Sequence, residues 1–284
     1  MFNALVWGLS WWPCRQFEAA GLHPLWTTVA LYLLSLLVIS LRQRQAWGEF
    51  LRTPALWLIM LAAGASNTAF NWGVALGDVV RVVLLFYLMP LWAVLLARLI
   101  LGERLTILAG LRMLLALGGA AIVLMPADGG LPWPAGLADY LGLLGGLSFA
   151  LNNVMLRREA GRGAHARALA MFSGGVIVAG LAATLMAGVG FIAWPGLAGP
   201  IWLLPLAGMA VLFFYSNISL QYGAARLPAN VTAIVMLFEV PVAAASALWL
   251  GGGSLDVKTA LGGLCIIAAA MLASLERRGA NIQA

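Results

Sequence analysis

The chain has 284 residues, 63% hydrophobic and only 9% charged, with a mean hydropathy of +0.98; that is more apolar surface than a soluble domain of this size can bury. A membrane-crossing helix takes about 20 apolar residues, so the length fits ten crossings with short loops and leaves little room for a soluble domain. The formal net charge of +6 would suggest nucleic acid in a soluble protein, but in a membrane chain the basic residues must first be sorted by side.

The first apolar run starts at Phe2, lacks a basic region ahead of it and runs into Trp12, Pro13, Cys14 and Arg15, so it reads as a span and not as a signal peptide. It begins so near residue 1 that a few residues are expected to precede it. Spans are predicted over 2–20, 24–41, 54–76, 79–101 and 106–125, then 136–156, 167–190, 200–223, 229–250 and 259–276. Each should be helical, because a lipid-exposed backbone must satisfy its own amides and carbonyls. The expected fold is therefore an all-α integral membrane protein of ten transmembrane helices.

With the N-terminus cytoplasmic, thirteen basic residues fall inside: Arg42, Arg44, Arg52, Arg98, Arg104, Arg112, Arg157, Arg158, Arg162, Arg167, Arg226, Arg277 and Arg278. Only Arg15, Arg81 and Lys258 fall outside, beside Glu18, Asp78, Asp128, Asp139 and Asp256. The bias predicts both termini in the cytoplasm of a multi-pass inner-membrane protein. It accounts for the basic charge without a nucleic-acid partner.

Along the spans, polar and aromatic residues mark candidate positions. Trp7, Ser10, Trp11 and Cys14 share a face of the first span. In the third, Asn67 and Asn71 stand four apart and Trp72 follows; Tyr87 precedes Pro90 in the fourth; Ser148 and Asn152 are four apart in the sixth. The eighth carries Asn217, Gln221 and Tyr222, with Tyr215 nearby, and the ninth carries Glu239 and Pro241.

An amide in hydrocarbon must be bonded, so these amides point into the bundle, either as glue between helices or as the lining of a wet cavity. Glu239 is the one carboxylate expected deep in the bilayer: a proton or ammonium site, or a protonated acid bonded to a neighbouring helix. Trp7, Trp11, Trp72, Tyr87, Tyr215 and Tyr222 would wall a cavity for flat ligands, or pack. Pro90 and Pro241 each remove a backbone bond and kink their helices, which suits gating or plain packing. Trp26, Trp133, Trp194 and Trp249 fit interfacial belts. The glycine clusters at Gly118, Gly145-Gly146, Gly174-Gly175 and Gly262-Gly263 let helices approach closely.

Cys14 and Cys265 read as packing residues with no metal or disulfide spacing. Phosphate-binding glycine loops, HExxH and GxSxG are missing from the sequence, so no cofactor, no metal and no enzymatic activity are expected; an intramembrane enzyme or scaffold is the remote alternative. The expected partners are a small-molecule substrate and the lipid bilayer, and a monomer suffices.

SNTAFNWGVA at 66–75 aligns with SNISLQYGAA at 216–225, pairing Ser66 with Ser216, Asn67 with Asn217, and Asn71 with Gln221. With one residue of drift, Pro90 falls opposite Pro241 and Gly102 opposite Gly253. A repeat of five spans inverts on insertion, which predicts two inverted five-helix repeats, 1–126 and 136–284, joined by a linker over 127–135.

LVWGLS at 5–10, Pro90, and LGERLT at 101–106 followed by Gly110 and Gly118 resemble the drug/metabolite transporter superfamily, in particular its ten-helix EamA-type exporters. The second half departs from that pattern, reading Gly253-Ser254 where glycine-glutamate is expected, so a role for Glu103 need not be mirrored. The resemblance implies export of small molecules from the cytoplasm; amino acids, aromatic ones first, are the leading expectation, with a drug or lipid-linked sugar exporter of the same fold as the alternative.

Overall fold

The computed structural model describes residues 2–102, 107–125, 133–196, 202–224 and 238–280; within these, the side chains of 90, 109, 112, 220–224, 270 and 273–280 are not described. All regular structure among the described residues is helical. The helices are α1 (Phe2–Leu9), α2 (Trp11–Ala19), α3 (Pro24–Arg42), α4 (Gln45–Arg52), α5 (Pro54–Leu76), α6 (Val79–Phe86) and α7 (Met89–Leu101). They continue as α8 (Ile107–Leu124), α9 (Leu137–Arg158), α10 (Ala164–Gly188), α11 (Leu203–Ala224), α12 (Glu239–Leu250) and α13 (Val257–Ala280). Among the described residues, three segments, Pro24–Arg42, Val79–Leu101 and Ala164–Gly188, are long and apolar enough to cross a membrane.

The first expected span is broken at Ser10 between α1 and α2. Pro13 explains this: it has no N–H for the carbonyl of Leu9 and its ring crowds that carbonyl. The fourth is broken at Tyr87 and Leu88, one turn before Pro90, and α7 restarts with Pro90 in its first turn. Prolines also open α3 and α5, where the missing N–H costs no helical bond.

The ninth span is described only from Phe238 onward; its expected first part, the linker residues 127–132, and Glu103 with the rest of 103–106 lie outside the described residues. Pro241 stands in the first turn of α12, a position that tolerates proline without a kink. A helix not expected from the sequence, α4, lies between the second and third spans.

Two helices end alike: α7 at Gly102 with φ 69° and α12 at Gly251 with φ 72°. Both are left-handed caps that favour glycine. The conformational counterpart of Gly102 is thus Gly251 and not Gly253, a correction to the alignment, which the drift carried two residues too far.

α5 packs against α9 and α10, α3 against α10 and α11, α8 against α13, α6 and α7 against α9, and α1 against α11 and α12. Glycines set these crossings. A Cβ on Gly119 would meet the carbonyl of Gly262 at 2.6 Å, and one on Gly262 the carbonyl of Gly119 at the same distance. Gly64 and Gly174 meet through backbone in the same way. At α9, the carbonyl of Phe86 lies where a Cβ on Gly146 would stand; Pro90 leaves that carbonyl without its helical donor, and the bare glycine gives it room.

Candidate functional site

Two clusters hold many of the polar residues of the spans. Inside the bundle, the buried Tyr32 of α3 donates its hydroxyl to Asn67 Oδ1 of α5 at 2.7 Å, and Asn217 of α11 stands close to Tyr32. The Nδ2 atoms of both amides turn back onto their own helices, to the carbonyls of Ala63 at 2.8 Å and Phe213 at 2.9 Å. One turn on from Asn67, Asn71 donates to Thr28 Oγ1 at 3.0 Å, and its own Oδ1 is buried with no partner among the described residues. Asn3 of α1 donates to Ser216 Oγ and to the Ser216 carbonyl at 2.8 and 3.1 Å, and its Oδ1 likewise finds no partner among the described residues.

Trp7 covers this cluster. Its ring lies 5.6 Å from Phe70 of α5 and 4.9 Å from Phe213 of α11, within reach of favourable aromatic packing. Phe70 continues to Phe86, and Phe86 to Tyr87 and Phe149. Tyr87, at the break in the fourth span, donates to Glu239 Oε2 at 3.1 Å at the start of α12; Glu239 is only 4% exposed. Gly8 lets α1 close over this point, since a Cβ there would meet the carbonyl of Glu239 at 3.0 Å.

The second place is the end of the bundle that holds the α5–α6 and α12–α13 turns, and it is built from charge. Arg81 forms a two-pronged pair with Asp139 at 2.7 and 2.8 Å and donates to the carbonyl of Val123 at 2.7 Å, joining α6, α8 and α9. Asp78 caps α6 by accepting from the Arg81 amide at 3.0 Å and accepts from the Ser254 amide at 2.6 Å. The Val79 amide donates to the Gly252 carbonyl at 3.1 Å. Arg15 donates to the carbonyls of Val74 at 3.1 Å and of Gly77 at the end of α5, where a cation suits the helix dipole. It also lies 5.2 Å over the ring of Trp11.

The expected residues divide between these places. Asn67, Asn217 and Trp7 come together inside the bundle with Asn71 beside them, and Tyr87 meets Glu239. Trp11 belongs to the charged end: it is 2% exposed, packs on Gly252 and donates to Ser246 Oγ at 3.0 Å. Trp72 turns to His23, ring to ring at 5.4 Å, and burial pushes the His23 imidazole below its ordinary pKa. Ser148 and Asn152 are buried in α9, and Asn152 Oδ1 has no partner.

The side chains of Gln221, Tyr222 and Pro90 lie outside the described residues. Tyr215, expected on a cavity wall, is 58% exposed and turns outward instead, because its neighbour Ser216 takes the inward position. Sequence reasoning missed Tyr32 and Thr28; a lone phenol inside the run Leu31–Leu34 was the available signal. A separate apolar cavity of about 240 Å³ lies between α3 and α11, lined among others by Phe17, Trp26, Leu33, Trp202 and Leu206.

One solved structure, described as "Crystal structure of protein", shares this fold with a TM-score of 0.57 and 19% identity, covering 98% of this chain and 95% of that one. Among curated proteins none matches the chain. The helical bundle, its apolar exterior and its buried amides agree with what the sequence match adds: residues 1–125 of this chain match the EamA-like transporter family, a family of membrane transporters and not of enzymes.

Proposed function

We propose that the chain is a secondary transporter of the inner (plasma) membrane that exports amino acids, aromatic ones foremost, or related small metabolites by alternating access. In substrate it would resemble the bacterial aromatic amino acid exporter YddG. The site lies at mid-membrane between two inverted repeats, 1–126 and 136–284, with both termini cytoplasmic. The observation that carries this reading is the hydrogen bond of Tyr32 to Asn67, with Asn217, the matched position of the other half, close beside that tyrosine.

The helix pairings support it. Exchanging the halves turns the α5–α9 contact into α11–α1, α5–α10 into α11–α3, and α7–α9 into α12–α1; the α3–α10 and α8–α13 contacts map onto themselves. A two-fold axis in the membrane plane predicts this pattern. The aromatic chain Trp7, Phe70, Phe213 and Phe86 favours flat substrates. Glu239, held by Tyr87, is the candidate for a proton or for the substrate ammonium group.

The test is counterflow of radiolabelled phenylalanine, tryptophan and threonine into liposomes carrying the purified protein, with Asn67→Ala/Asn217→Ala as the control. Exchange of the aromatic pair, impaired in the double variant, is expected; no exchange of any amino acid by the wild type would overturn the substrate assignment. The apolar cavity between α3 and α11 favours a second reading, a drug or lipid-linked sugar exporter or flippase, which that outcome would bring forward. Glu239→Gln is expected to abolish uptake driven by a pH gradient while sparing counterflow; unchanged pH dependence rejects coupling.

A further inference from the structure

The short helix α4 is amphipathic in an unusual way. Ala46 and Phe50 point into a cluster with Ala166, Leu169 and Ala170 of α10, and Glu49 accepts from the Gly163 amide at 3.2 Å, so one face is pinned to the bundle. Positions 44, 48 and 52 recur every four residues and share the opposite face. They read Arg44, Gly48 and Arg52, all exposed, and a Cβ on Gly48 would meet nothing within 4 Å.

The result is an open notch with a glycine floor and an arginine at each end, about 12 Å apart along the helix at 1.5 Å per residue. Arg42, at the end of α3, adds a third cation. None of these three arginines has an ion-pair partner among the described residues. Beside them stand exposed leucines, Leu41 at 68% and Leu51 at 59%.

We propose that Arg42, Arg44, Gly48 and Arg52 form a binding site for the headgroup of an anionic phospholipid of the surrounding bilayer. Charge decides the occupant. Three guanidiniums without an ion-pair partner among the described residues call for an anion, and guanidinium is the side chain suited to bidentate phosphate. Leu41 and Leu51, exposed and next in sequence to Arg42 and Arg52, call for acyl chain, and only a lipid supplies both. The helix lies between the second and third spans, where a basic amphipathic segment meets the headgroup boundary.

The experiment titrates the purified full-length protein in detergent with phosphatidylglycerol or with phosphatidylcholine of the same chains, reading bound lipid by native mass spectrometry. Phosphatidylglycerol is expected to bind more tightly, with the preference falling about fivefold for each arginine changed to glutamine. Arg42→Gln/Arg44→Gln/Arg52→Gln should then bind both lipids equally, with its unfolding temperature in phosphatidylcholine unchanged, whereas Arg→Lys at the same positions keeps most of the preference. No preference in the wild type, or an undiminished one in the triple glutamine variant, overturns the proposal. So does displacement of the lipid by millimolar inorganic phosphate, which would mark a free-phosphate site. Transport activity does not enter the readout, so failure here leaves the exporter reading standing.

Discussion

The two polar regions of this bundle are built from different chemistry. At the α5–α6 and α12–α13 turns the groups are charged and their demands are met: Arg81 has three bonds, and both oxygens of Asp139 and of Asp78 accept. In the amide cluster the groups are uncharged, and the buried amide oxygens of Asn3 and Asn71 find no partner among the described residues. An unmet acceptor costs on the order of 1–3 kcal/mol, so the middle gives up stability where the end collects it. Fully bonded charge suits a fixed seal, and unfilled neutral acceptors suit a place where a ligand or water completes the bonding.

Breaking the seal should give the largest effect. Arg81→Ala leaves the Asp139 carboxylate buried without its cation and is expected to cost about 3 kcal/mol, read as a fall in the unfolding temperature of the purified protein. Arg81→Leu/Asp139→Leu should recover part of it; a single variant as stable as wild type would mean that the pair does not hold the end together. Asp78→Ala comes next, at about 2 kcal/mol, the sum of a lost helix cap and a lost bond to Ser254.

The middle should respond in function more than in stability. Tyr32→Phe is expected to shift stability by less than about 1 kcal/mol and to cut counterflow about tenfold, equivalent to one 1.4 kcal/mol step in substrate recognition. Equal losses in stability and transport would erase the distinction between the two regions.

The smallest effect belongs to His23, where α3 begins. Burial lowers its pKa in the folded state, so the unfolded chain binds the proton more readily. Stability is then full above the unfolded value near 6.5 and declines as pH falls through it towards the folded value. His23→Gln should flatten that decline in unfolding temperatures measured from pH 7.5 to pH 5.

Much of the helical layout was legible because long apolar runs between charged turns admit few alternatives. The break at Ser10 was within reach, since Pro13 points to Leu9 by the four-residue rule. α4 was not, because eight residues of mixed character in a short connecting helix carry no span-length signal. In the candidate site, Asn67, Asn71 and Asn217 stood out as amides among apolar neighbours. Trp11 looked the same as Trp7 from the sequence, yet one packs on Gly252 and the other joins α5 to α11. Which partner a tryptophan finds across 241 residues of chain is decided by the bundle and leaves no local mark. Tyr87 and Glu239 were singled out separately, and only the fold brings them together.

Phe86 and Gly146 impose a constraint that crosses the chain. The carbonyl set free by Pro90 occupies the space that a side chain at position 146 would need. The two positions should therefore evolve as a unit: lineages that keep proline at 90 should keep glycine at 146, and a lineage that loses the proline regains the helical bond and releases its partner. In a combinatorial library, alanine at 146 should be rare with proline at 90 and become common once 90 is alanine, an epistasis between residues 56 positions apart that needs no contact between their side chains.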